Sequence, residues 1–313
     1  MRLFLASLIS LTLWLPAARA DEAGCPPVMQ APTAEQMQAA QAAAKDRGAL
    51  WRLRKDGRVS YLYGTVHIGK LEWAFPGPQL QAALRSTEVL AVEINPMEPT
   101  FMAEVQAAQA KAAKLELTSG EQARLDAEAD AACLPRAALA ALHPVMQAIT
   151  YVSLAGRRDG MDPAYAQEIV LLGAAQALKL PVVALESVAS QMEVLLPADS
   201  TEARDLMNQM LDSLKRQESR TSLRRMGQAW ERGDIDALES PAKLCDCVPT
   251  AQEMQMLRRL NDGRNPNLAD RIAQEHAKGK AVLAAVGALH MTGAQPLPRL
   301  LRERGFDVER VQY

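Results

Sequence analysis

Two short apolar runs constrain this chain more than any other feature. They are Tyr61-Leu-Tyr-Gly-Thr-Val-His67 and Ala281-Val-Leu-Ala-Ala-Val-Gly-Ala-Leu-His290. Each reads as a buried β-strand, and each carries a glycine followed three residues later by a histidine: Gly64 with His67, Gly287 with His290. Near-continuous apolar runs of this length belong to strands covered on both faces, the situation of a parallel sheet. Strands that neighbour one another in such a sheet can be far apart in sequence. Their carboxyl ends line the crevice where α/β sheets take their ligands. The chain has four histidines, and two of them fall at these ends.

The rest of the pattern is strand-poor and helix-rich. Leu50 to Arg54 and Val59 to His67 flank a Lys55-Asp-Gly-Arg58 turn and predict a hairpin. Val89 to Ile94 and Pro181 to Leu185 are further apolar strands, and the chain closes strand, helix, strand over Ala281–Val286, Pro296–Arg304 and Phe306–Val311. Between them lie helical stretches: Ala34 to Lys45 with Thr33 as N-cap, one helix over Asp162 to Leu178, and a long pattern from Ser200 to Arg232. The expected fold class is α/β: a central mixed or mostly parallel sheet with a large helical insertion, about 97–180 and 187–279, in one domain over 21–313. The stripe Leu206, Met210, Leu214, Leu223, Met226 and Trp230 is expected to pack on the core, or to cover a cleft.

Residues 1–20 read as a secretory signal peptide: Arg2, an apolar stretch from Leu3 to Leu15, and Ala18-Arg-Ala20 as the cleavage site. Export, with a periplasmic destination, is the expectation. Cleavage would move the net charge from −2 to about −4. No basic stripe points to nucleic acid, and no later apolar run is long enough to span a membrane. Cys25, Cys133, Cys245 and Cys247 would then meet an oxidising compartment and pair. A Cys245–Cys247 ring is small, so Cys25 and Cys133 are each expected to reach one of these two residues.

Four polar side chains sit at or near predicted strand ends: His67, Glu93, Glu186 and His290. A charged group ending a buried strand is costly unless paired. Two imidazoles with carboxylates suit a divalent metal, and equally suit acid–base catalysis with water. Arg264, in Gly263-Arg-Asn265, is a further candidate; His143 and His276 look ordinary.

The ordered motifs resemble the TraB/PrgY/GumN family, which also holds the animal Tiki metalloproteases. The residues that carry the likeness are Leu50-Trp-Arg-Leu53, Leu62-Tyr-Gly-Thr-Val-His-Ile68, Val92-Glu-Ile-Asn95, Gly160-Met-Asp162, Leu185-Glu-Ser187 with Gln191, Trp230 before Gly233-Asp234, Arg264-Asn265 and Val286-Gly-Ala-Leu-His-Met-Thr-Gly293. After His290 the chain departs, with Gly293-Ala-Gln-Pro296 where the family usually has an acidic run. The resemblance implies a fold similar to erythromycin-esterase and ChaN-like proteins, and a site of His67, His290 and Glu93 as metal ligands. Glu93, Arg264 and Glu186 would serve as catalytic groups. The function it implies is a metal-dependent, peptidase-like hydrolase using a divalent ion (Mn, Co or Zn) on a peptide or small-molecule substrate. The alternatives are a metal-free esterase or amidase with the same His, Glu and Arg residues, or a periplasmic binding protein for peptide, haem or metal.

Overall fold

The computed structural model describes residues 24–27 and 31–313; the expected signal peptide lies outside the described residues. A six-stranded sheet forms the centre. Its strands are β1 (Ala49–Lys55), β2 (Arg58–Thr65), β3 (Val89–Val92), β4 (Val182–Ala184), β5 (Val282–Gly287) and β6 (Asp307–Arg310). They run in the order β4-β3-β5-β2-β1-β6. β4, β3, β5 and β2 are mutually parallel, while β1 is antiparallel to both β2 and β6. This is the expected α/β class, with a mostly parallel sheet.

Alternation along the strands sends side chains to two faces. Leu50, Tyr63, Leu90, Val92, Leu283 and Ala285 join the core under the inserted helices. Leu53, Leu62, Ala91, Val282, Ala284 and Val286 pack on the other face, against Leu268 and Ile272 of the helix Asn265–Ala277 and Leu300 and Leu301 of the helix Leu297–Glu303. Gly64 is needed where β2 passes the turn after β5. A Cβ there would come within 3.1 Å of the Ala288 backbone.

The helices between β3 and β4, and between β4 and β5, form the insertion. Three departures from the sequence reading stand out. The first helix is shorter, Ala34–Ala42, although Thr33 caps it with Gln36 in a reciprocal capping box. The expected helix over Asp162–Leu178 starts only at Gln167, after a short 3-10 turn over Pro163–Tyr165. The long pattern divides into helices Ser200–Lys215 and Glu218–Glu231, because Gln217 takes a left-handed conformation (φ 58°) between them. Its apolar stripe is buried in the core along both halves.

The expected cysteine pairing is wrong. Cys25 bonds Cys133, and Cys245 bonds Cys247. Asp246 makes the small ring feasible: at φ 57°, ψ 43° it brings the two Cα atoms to 5.1 Å, an ordinary span for a disulfide. Asp is one of the few residues that enter this left-handed region readily. The two bridges differ in what they constrain. Cys25–Cys133 spans 108 positions and stabilises by about 5 kcal/mol in the chain-entropy view. The Cys245–Cys247 ring excludes little of the unfolded ensemble, on the order of 1–2 kcal/mol. Among the described residues no helix is long and apolar enough to cross a membrane.

Candidate functional site

The carboxyl ends of the four parallel strands meet at one edge, and the candidate residues follow them. His67 lies two positions past β2, Glu93 directly after β3, Glu186 two past β4, and His290 in the 3-10 turn Ala288–Met291 after β5. Backbone pairing continues beyond the strands, with Glu186 N–H donating to the Glu93 carbonyl at 2.9 Å. Arg264 comes from the opposite direction, as the residue preceding the helix Asn265–Ala277.

Gly287 is the centre of the arrangement. A Cβ on it would lie 3.3 Å from Glu93 Oε1, 3.6 Å from His290 Cδ2 and 3.7 Å from His67 Nε2. The two imidazoles and the carboxylate therefore surround one small space, left open because this residue has no side chain. The Gly287 N–H also donates to Glu93 Oε1 at 2.7 Å. Beside His67 is a cavity of about 10 Å³ walled by Met226, Trp230 and Leu238. A larger groove of about 380 Å³ runs between the helices Phe101–Lys111 and Val188–Leu195, starting at Ser187, next to Glu186.

Each histidine is held through Nδ1, by different partners. Asn265 donates its amide N–H to the carbonyls of His290 (3.1 Å) and Gln295 (2.7 Å). Its amide oxygen must therefore face His290 Nδ1, which donates to it. The other ring nitrogen, Nε2, then faces Glu93 Oε2 at 3.7 Å. His67 Nδ1 instead lies 3.1 Å from Glu168 Oε1, a carboxylate that also accepts from the Thr65 hydroxyl.

Charge decides the protonation states. His67, Glu93, Arg264 and His290 are 8%, 4%, 6% and 2% exposed, so their charges need partners. Burial alone would lower the His67 imidazole. The Glu168 carboxylate, helped by Glu93, outweighs burial and the opposing Arg264 charge, so His67 stands above its ordinary value. Burial would raise Glu93, but Arg264 and the two histidines hold it well below the usual carboxylate range. Arg264 is pushed above its ordinary value, because Glu93 and Glu186 more than offset its burial.

Arg264 donates to Glu93, to both oxygens of Glu186 (Nε at 3.1 Å to each) and to the Leu260 carbonyl (3.2 Å). Its donors serve the protein, tying the β3 and β4 ends to the helix start, so it holds Glu93 in place and ionised. Gln191 adds a hydrogen bond to Glu93 Oε2 at 3.1 Å. The donor set does not suit a divalent ion in this arrangement. Both Glu93 oxygens are engaged by protein donors, a guanidinium stands against the carboxylate, and among the described residues no three His, Cys, Asp or Glu groups are placed to hold a metal.

The sequence reading named His67, Glu93, Glu186, Arg264 and His290, and the structure brings all five together. It missed Glu168, which sits in the first turn of the helix Gln167–Leu178. Tertiary contacts deliver it: Gly69 bridges to Asp162, and Gln167 N–H donates to the Val66 carbonyl at 2.9 Å. His143 caps the helix Pro144–Leu154. His276 bridges the Ser60 hydroxyl (2.8 Å) and the Lys55 carbonyl (3.1 Å). Both are structural.

A mostly parallel α/β sheet with paired GxxH ends and a buried Glu–Arg–Glu bridge defines a distinct class of site. Residues 49–310 match the TraB/PrgY/gumN family, and the chain belongs to it. No curated protein and no solved structure matches the chain.

Proposed function

We propose that this protein is an exported hydrolase that cleaves an ester or amide bond in a peptide or small-molecule substrate, using acid–base chemistry of its own residues. The carrying observation is the open space at Gly287, bordered by His67 Nε2, His290 and Glu93. In this reading a water there donates to His290 Nε2 and Glu93 Oε2. As the water oxygen attacks the substrate carbonyl, His290 takes its proton. His67, kept cationic by Glu168, stabilises the developing oxyanion and then protonates the leaving group. Arg264 keeps Glu93 ionised through the cycle. Opposite environments for two titratable groups are what divides acid from base in such sites. The groove beside Glu186 offers room for the rest of the substrate. Export is supported by the leader-like residues 1–20 and by the disulfides.

The experiment is a panel of chromogenic esters and fluorogenic peptides, assayed on chelator-treated protein, with Gly287→Ala as the control. A methyl group there, 3.3 Å from Glu93 Oε1 and 3.6–3.7 Å from the two imidazoles, fills the space and asks only a small shift of Glu93. Turnover in the native chain, and its loss in a Gly287→Ala chain of near-native Tm, is expected. The family resemblance points instead to Mn²⁺, Co²⁺ or Zn²⁺ on His67, His290 and Glu93. Both rings do turn Nε2 inward with Nδ1 anchored, as metal-binding histidines are held. Activity that demands one of these ions and disappears on chelation overturns the ion-free reading. Peptide or haem binding without turnover on any panel member, with or without ions, replaces it with a binding role.

A further inference from the structure

The Cys245–Cys247 bridge has no part in the site described above, and several observations set it apart from Cys25–Cys133. Only Asp246 separates the two cysteines, so the bond closes almost no chain. Asp246 sits in the left-handed region at φ 57°, which lets so short a ring close. Val248, directly after the ring, is 90% exposed.

The segment is also fastened without the disulfide. Arg225, on the helix Glu218–Glu231, donates to the Lys243 carbonyl at 3.2 Å and to the Asp246 carboxylate at 2.9 Å. Leu244 is buried in the main core. Opening the S–S bond therefore leaves the residues before and within the ring anchored, with the two cysteines still one residue apart. The sulfurs are unequal as well. Cys245 is 8% exposed, whereas Cys247 is only half-buried. Although Cys247 packs against the core, it is the more exposed residue of the pair, which makes it the side for an incoming thiolate and Cys245 the leaving sulfur.

We propose that Cys245–Cys247 is a thiol–disulfide exchange site, working on accessible thiols of small molecules or polypeptides. A thiolate RS⁻ attacks Cys247 Sγ. The R–S–Sγ bond forms as the Cys245–Cys247 bond breaks, and Cys245 leaves as a thiolate that takes up the proton the attacking thiol gave up. A second thiol attacks the R sulfur, releases RSSR and leaves Cys247 as a thiol. Two thiols are oxidised by two electrons in total, and the protein disulfide is reduced to a dithiol by the same two. The reverse sequence, with a disulfide RSSR, restores the bridge.

Three measurements on the full chain test this. In graded glutathione buffers, quenched with acid and mapped after alkylation, the Cys245–Cys247 pair is expected to become reduced over a range in which Cys25–Cys133 stays oxidised and the far-UV spectrum is unchanged. Reduction of both pairs together, or of Cys245–Cys247 only after unfolding, overturns the proposal. With glutathione disulfide, Cys245→Ser is expected to trap glutathione on Cys247 at least tenfold faster than Cys247→Ser traps it on Cys245; equal rates overturn the assignment of the attacked sulfur. Finally, the native chain is expected to speed oxidation of a thiol by glutathione disulfide at least tenfold over the chain carrying both Cys245→Ser and Cys247→Ser. Dithiothreitol and a reduced unfolded polypeptide serve as separate arms. Acceleration with dithiothreitol alone assigns a small-thiol partner, acceleration with the polypeptide assigns a protein partner, and no acceleration in either arm overturns the proposal.

Discussion

His67 and His290 follow neighbouring strands of one sheet and face the same space, yet a carboxylate stands behind one and an amide behind the other. Glu168 attracts and holds a proton on His67. Asn265 accepts from His290 Nδ1–H, and so orients that ring without adding charge. The same Gly-x-x-His segment thus sets two imidazoles against different partners, and the difference arises outside the segment, in residues 168 and 265. A repeated motif fixes where an imidazole goes; its hydrogen-bond partner fixes what it can do there.

The proposed division of labour makes unequal predictions for the two rings. The largest effect is expected for His290→Gln. It removes the proton acceptor and should lower kcat by about 10³-fold on every substrate; equal residual activity on esters and amides is the signature to look for. His67→Gln is expected to cost about 10²-fold on amides and much less on activated esters, whose leaving groups need no proton. If the two variants show the same leaving-group dependence, the rings do not have separate roles.

Glu168→Gln sharpens the contrast more gently. It keeps a hydrogen-bonding side chain beside His67 but removes the charge that raises it. The alkaline limb of the pH–rate profile, set by loss of the His67 proton, should move to lower pH, with about a tenfold loss on amides on the alkaline side. An unmoved limb removes Glu168 from the account. The smallest effect is on stability. The folded-state value of His67 is raised, so its ion pair with Glu168 stabilises fully below the ordinary histidine value. That contribution is lost as pH rises through the folded value. Thermal melts should therefore show a Tm gap between the native chain and Glu168→Gln at mildly acidic pH. The gap should narrow as pH rises, and one that widens would reverse the assignment.

The strands were legible because apolar runs and their polar ends are local. β2, β3 and β5 lie within a few residues of their expected bounds, and a histidine or glutamate ending such a run is visible without any structure. Arg264 was legible only as half of an Arg-Asn pair, and its buried bridge to Glu93 and Glu186 depends on where a distant helix begins. Glu168 had no local signature, since a glutamate in the first turn of a helix is ordinary. Its proximity to His67 is made by the Gly69–Asp162 bridge and the Gln167–Val66 hydrogen bond. The helix break at Gln217 carries no glycine or proline to announce it. The cysteine pairing was misread because ring size was weighed without the left-handed Asp246 that relieves it.

The placement of β5 between β3 and β2 has a consequence for the chain as it is made. Synthesis runs from the amino end, so the strands leading to His67 and Glu93 emerge before the one that lies between them. The strand that separates them, Val282–Gly287, follows both in the chain. Until it is available, β2 and β3 present open edges of the kind that recruit other chains. The late strand supplies both the missing partner and Gly287, which Glu93 and the two imidazoles border. A chain halted before this strand has neither His290 nor the space beside Gly287.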